Sequence, residues 1–290
     1  KADNLVIQGC TIGEIQNHGI TNHLAYHPAG TEPRLKNLVI KDNKVYNTCL
    51  ENPKKSGQGI SVAADGFLVS GNEVWGCKDI GIDIWLGATH GEVVDNWVHD
   101  NAMGMYVDGA RYVRIHRNRM NANRRTGLTV SSEDPAFTTR HIWIFNNLSY
   151  DHTAGDGMSM WDNSGIGATD VLFANNTLLN NRSTFTFFGR GNTAELMNNL
   201  GYATGLATYD ESARSSYAMH DNLWLTSPTG FVSASGKDFR LTSSSPAINK
   251  GKALPVLRDD LGNTYAISTD YQGLGRAVSA APDAGAYELQ

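Results

Sequence analysis

Two carboxylates stand in the chain's most regular phrases: Asp83 within Gly81-Ile-Asp-Ile84, and Asp108 directly after Gly104-Met-Tyr-Val107. In such phrases the residue after Gly faces inward and the next faces outward, because strand side chains alternate. If the strands stack, one outward row holds Ser61, Asp83, Tyr106, Thr129, Ser159 and Thr186. A second holds Ala63, Trp85, Asp108, Ser131, Trp161 and Phe188. Adjacent strands with a two-residue offset place the Cα atoms of Asp83 and Asp108 roughly 8 Å apart. That spacing suits a general acid and base working on a glycosidic bond by either stereochemical route. Trp85, Tyr106 and Trp161 offer flat apolar faces of the kind that stack on sugar rings.

Chemistry of this kind needs a scaffold that repeats, and the chain has one. The first half of the unit is an apolar run, an Asn and another apolar residue, as in Leu38-Val-Ile-Lys-Asp-Asn43-Lys-Val45 and Val113-Arg-Ile-His-Arg-Asn118-Arg-Met120. The second half is Gly followed by strict alternation, as in Gly59-Ile-Ser-Val62 and Gly127-Leu-Thr-Val130. The marker Asn falls at 43, 72, 96, 118, 147, 176, 199 and 222, a period of 22 to 29 residues. Units this short bury an apolar side only by stacking. The expected fold is therefore all-β: a right-handed parallel β-helix of roughly nine coils over residues 1–234. The marker Asn is expected to sit in a left-handed turn and to bond its equivalent in the next coil. From 235 to 290 the pattern stops, and this segment is expected to cap the same domain, since an open solenoid end invites edge pairing.

Composition sets the outer limits. The chain has 290 residues, is 40% hydrophobic and carries a net charge of −5, with 30 glycines against eight prolines. This fits a turn-rich β domain and gives no reason to expect nucleic acid as partner. No run approaches the roughly 18 apolar residues of a membrane span. Lys1 leads straight into a strand-like run, so a processed or trimmed chain is expected. Cys10, Cys49 and Cys77 recur near equivalent points of successive units, which favours buried thiols over a disulfide framework. Seven of the fourteen arginines (Arg111, Arg114, Arg117, Arg119, Arg124, Arg125 and Arg140) crowd one coil and its loop. Such a band would draw in a polyanion, with Arg111 as a substrate contact and Arg124 and Arg125 beside Asp108. His90 and His99 flank the same coil and read as solvated loop residues.

The coils resemble the pectate-lyase-like superfamily. The closing Pro282-Asp-Ala-Gly-Ala-Tyr-Glu288 resembles the ends of many secreted bacterial β-helix proteins, implying a secreted, cell-surface or periplasmic protein; because the parallel edges should be capped, a monomer is expected. Within the coils, Lys78-Asp79-Ile80-Gly81-Ile82-Asp83-Ile84-Trp85 is similar to a phrase of the family-nine pectate lyases. The resemblance implies that Asp79 and Asp83 bind Ca²⁺, with Asp108 completing the cluster. It departs at Ile80, where that phrase has an acid, and in lacking the lysine that serves as base. Arg124 or Arg125 would take that role, abstracting the C5 proton of a uronate while Ca²⁺ neutralises its carboxylate. On this reading an anionic polysaccharide is cleaved by Ca²⁺-assisted β-elimination. Two alternatives stay open: a metal-independent glycoside hydrolase using Asp83 and Asp108, and a non-catalytic adhesin gripping glycan through Trp85, Tyr106 and Trp161.

Overall fold

The computed structural model describes residues 3–22, 35–50, 57–162, 164–205, 208–210, 216–276 and 281–290. Over these residues the chain winds as a right-handed parallel β-helix, with three long parallel sheets of nine, nine and eight strands and no helix. Each coil gives one strand to each sheet in turn, so sequence neighbours lie in different sheets and strands pair with those one coil away. The inward residues, among them Ile40, Val69, Val93, Ile115, Ile144, Phe173 and Leu196, form one continuous apolar core along the axis.

The marker asparagines build the ladder expected of them. Each side-chain amide from Asn43 through Asn199 donates to the Oδ1 of the next, at 2.8 to 3.0 Å, ending on Asn222. The left-handed residue at this corner, however, is the one before the ladder: Asp42, Gly71, Asp95, Arg117, Asn146, Asn175, Asn198 and Asp221 all have positive φ. The ladder Asn is free to turn its amide inward because its neighbour absorbs the reversal of chain direction. A second ladder at the next corner links Asn101 to Asn123, then passes through His152 to Asn181. Complete burial pushes the His152 imidazole down to about 4, so it enters this ladder neutral.

Glycine has a specific duty where the third sheet begins. A Cβ on Gly104 would lie 2.3 Å from the Gly127 carbonyl oxygen, and one on Gly127 2.5 Å from that of Gly157. The pairing register skips this glycine column, matching Met103 with Thr126 and Thr126 with Asp156 on one side of it and Met105 with Leu128 on the other.

None of the three cysteines is in a disulfide; Cys49 and Cys77 are buried as expected, whereas Cys10 is exposed. The segment after the coils is irregular, but it packs along the flank rather than across the open end. Phe231, Phe239, Leu241, Ala284 and Tyr287 cover Leu148, Tyr150, Leu179 and Leu200, while Leu257 and Ile267 cover Trp143, Phe145 and Leu172. Met219 in the last coil stays 41% exposed.

Candidate active-site cleft

The third sheet presents the two outward rows. Its register runs Ser61, Asp83, Tyr106, Thr129, Ser159, Thr186 across successive strands, as the alternation requires. A cleft of about 510 Å³ opens on this face. Tyr106, Thr129 and Ser159 form its floor, Trp161 and Phe188 one side, and Met103, Arg125, Thr126 and Asp156 the other. Thr129 and Ser159 share a hydroxyl hydrogen bond of 2.8 Å, and Asp156 is held by Arg182 at 2.9 Å. Trp161, at 40% exposure, is the most accessible ring on this face among the expected glycan contacts.

Asp83 lies one strand beyond the cleft, directly across from Tyr106 in the register, with Asp108 two residues past Tyr106. Asp83 is only 1% exposed. Its Oδ2 accepts from Ser61 Oγ at 2.9 Å, while its Oδ1 is buried with no hydrogen-bond partner among the described residues. An orphaned carboxyl oxygen strongly disfavours ionisation. Burial, joined by repulsion from Asp108, Asp79 and Glu133, pushes the Asp83 acid up to about 8 despite the Ser61 bond. Asp108 is pushed up to about 6, again mainly by burial and then by Glu133, Asp134 and Asp162, while the Glu133 backbone N–H donates to its Oδ1 at 2.9 Å and opposes the shift. At neutral pH the pair is thus split, one carboxyl protonated and the other largely ionised, which is the division an acid and base require.

Glu133 completes this corner and was not singled out from the sequence. Its Oε1 accepts from the Tyr106 hydroxyl and from Ser131 Oγ, so one residue of the loop after Ser131 contacts both Tyr106 and Asp108. Burial and the Glu133 carboxylate together keep the Tyr106 phenol neutral, well above its usual range. Loop residues have no period to betray them, so only the presence of an acid in the 131–140 loop pointed this way. Met103, Thr126 and Asp156 were missed because the glycine column shifts the alternation and turns the residue before each Gly towards the cleft.

Other expected site residues fall elsewhere. The calcium triad is not gathered among the described residues: Asp79 precedes the Asp83 strand and acts on Asp83 as a repelling charge. Its carboxylate takes the Gly57 N–H, is influenced by Arg125 and His18, and is raised chiefly by burial. Among the described residues no three His, Cys, Asp or Glu side chains come together to hold a metal ion. Trp85 is half-buried in the turn after the Asp83 strand and does not line the cleft. Arg111 belongs to the first sheet, where its Nε donates to Thr138 O at 3.2 Å, so it is not a cleft residue. The arginine band is mostly engaged outside the cleft: Arg114 with Glu92 and over Tyr265, Arg117 with Asp95, Arg119 over Trp97. Of the two exposed arginines expected as base, Arg125 reaches the cleft and Arg124 does not.

Among solved structures, the chain is similar to pectate lyase Pel9A, with 17% identity, a TM-score of 0.51 and coverage of 88% of this chain and 72% of that one. It also matches XylC in complex with xylose at 14% identity and a TM-score of 0.49, covering 69% of this chain and 40% of that one. A third match is the periplasmic alginate epimerase AlgG, at 14% identity and a TM-score of 0.46, covering 66% of this chain and 46% of that one. No curated protein matches the sequence. The family profile described as periplasmic copper-binding protein (NosD) matches residues 1–232. Among the described residues His90 is engaged by Asp65 and Asp260, His116 by Glu92, and His220 by Glu195 and Asp221, and none of these joins a cluster of three His, Cys, Asp or Glu side chains. The match nonetheless runs the length of the coils, and the chain belongs to the NosD family.

Proposed function

We propose that this protein is a carbohydrate-active enzyme that hydrolyses a glycan held in the cleft, with Asp83 as general acid and Asp108 as general base. The observation that carries the reading is the buried, unpartnered Oδ1 of Asp83 behind a cleft walled by Trp161 and Phe188. Protonated Asp83 would give its proton to the departing glycosidic oxygen, and Asp108 would take one from the attacking water. Trp161 and Phe188 would supply apolar contact, and the Thr129 and Ser159 hydroxyls would meet sugar hydroxyls. A periplasmic or otherwise extracytoplasmic site of action is part of the proposal, supported by the family's description. β-Elimination on a uronate polymer has less support, because its calcium ligands are not gathered and the arginine band that favoured an anionic substrate mostly lies off the cleft.

The test is product analysis on a panel of neutral and uronate polysaccharides, with Ca²⁺ and with EDTA. Hydrolysis releases reducing ends without an unsaturated product and is indifferent to EDTA. An ultraviolet-absorbing unsaturated product that requires Ca²⁺ would replace this reading with the lyase one. Trp161→Ala is expected to weaken glycan binding about 5- to 20-fold, the worth of one stacked ring, as read by affinity electrophoresis.

A further inference from the structure

The outward rows are unequally open. The first row is shielded throughout, with Ser61 0%, Asp83 1%, Thr129 5% and Thr186 1% exposed, and in the second row Trp161, at 40%, is the most open. The cleft spans the four strands carrying Tyr106, Thr129, Ser159 and Thr186, three strand spacings or roughly 14 Å. At its Tyr106 end it meets a wall. The Tyr106 hydroxyl donates to Glu133, whose own N–H is fixed on Asp108. The loop carrying Glu133 is anchored at its base, where Gly109 N–H donates to Thr139 Oγ1 at 2.6 Å and Thr139 N–H to Ser132 Oγ at 3.2 Å. Two coils before Tyr106 the second outward row is also occupied: Asn22 clasps the Ala63 backbone through both its amide groups, at 2.8 and 3.2 Å.

From this arrangement we infer that the cleft is blind at its Tyr106–Glu133 end and takes a glycan by one terminus rather than along its length. The inference rests on the glycan reading above and deepens it. A polymer running along the solenoid axis would have to pass through Tyr106, Glu133 and the Asn22 clasp, whereas a chain end can stop against them. Asp108 lies at that closed end beside Glu133, and Asp83 one strand beyond it. Glu133 is the specificity-determining residue, because its side chain closes the space between the loop and Tyr106.

Binding tests this without relying on turnover. Hexasaccharides from xylan, cellulose, chitin and polygalacturonate are prepared uncapped, with a bulky fluorophore at the reducing end, with a bulky group at the non-reducing end, and with both. Fluorescence anisotropy and competition are then measured with the Asp83→Asn protein. One cap should lower affinity by about 10-fold or more while the other leaves it within about 2-fold. Glu133→Ala should restore tolerance of the forbidden cap. Equal affinity for the doubly capped and uncapped glycan would overturn the blind cleft while leaving the glycan reading intact, and so would a Glu133→Ala protein that keeps the wild-type discrimination. Binding of none of the panel would overturn both.

Discussion

The Asp83 carboxyl is a strained choice for stability, and that is the reason to read it as functional. A carboxylic acid buried with one oxygen unpaired gains nothing from its site that an amide would not gain. The linkage has a definite sign. A folded-state pKa of about 8 against an unfolded value of about 3.9 means that Asp83 favours folding while protonated, and that this is lost as pH rises from about 4 to about 8. Asp83→Asn, which cannot ionise, should therefore be more stable than wild type at alkaline pH by on the order of 2 kcal/mol or more, with little difference near pH 4. Thermal unfolding at the two pH values checks this, and an equal difference at both would contradict the burial of the charge. The places of Asp83, Asp108, Tyr106 and Trp161 on the outward rows of the third sheet were legible in the sequence because they ride on strict alternation. Glu133 and Met103 were not, since one lies in a loop and the other is displaced by a glycine column.

At the level of the element, the coils are held in register by amide ladders as much as by the core. Asn118 is fully buried, donates to Val93 O, His116 O and Asn147 Oδ1, and accepts from both the backbone and the side chain of Asn96. Asn118→Ala would leave the Asn96 backbone N–H without an acceptor, take one of three acceptors from the Asn96 amide and interrupt the ladder, a loss of about 2–4 kcal/mol that denaturant titration would measure. A loss below about 0.5 kcal/mol would mean that the ladder only decorates a register fixed by side-chain packing. The first ladder could be read in the sequence because one residue type repeats in it. The second could not, because His152 stands in its line. Nor could the column of left-handed residues in the first sheet, Asn37, Gly66, His90, Tyr112, His141 and Asp170, which share a backbone conformation and no side-chain chemistry. His90, expected as a solvated residue, stacks on Tyr112 and is gripped by Asp65 and Asp260.

The whole molecule is a solenoid whose last 50 or so residues are part of its wall. The C-terminal segment bonds the corner of the coils directly: Arg276 donates to Asn146 Oδ1, Asn175 to the carbonyls of Asp283 and Gly285, and Asn198 to that of Lys252. Arg276 and Glu288 pair at 2.9 Å with side chains 3% and 6% exposed, which ties the segment to itself as it docks. A chain ending at residue 234 would expose Trp143, Phe145, Leu148, Tyr150 and Leu172 together, so it should unfold at least about 10 °C lower than the full chain or aggregate. Calorimetry should give the full chain one transition; a separate early transition for the segment would show that it folds independently. The sequence identified this segment by its loss of period but not its location, since docking along a flank leaves no repeating trace.

A protonated Asp83 and an ionised Asp108 acting together would govern kcat/KM for glycan hydrolysis, measured in EDTA across the pH range. The expected profile is a bell: activity falling below about 6 as Asp108 takes up a proton, falling above about 8 as Asp83 loses one, and lost by a factor of about 1,000 or more in Asp83→Asn. A rate that is flat between these values and beyond, or one that survives in Asp83→Asn, would contradict it.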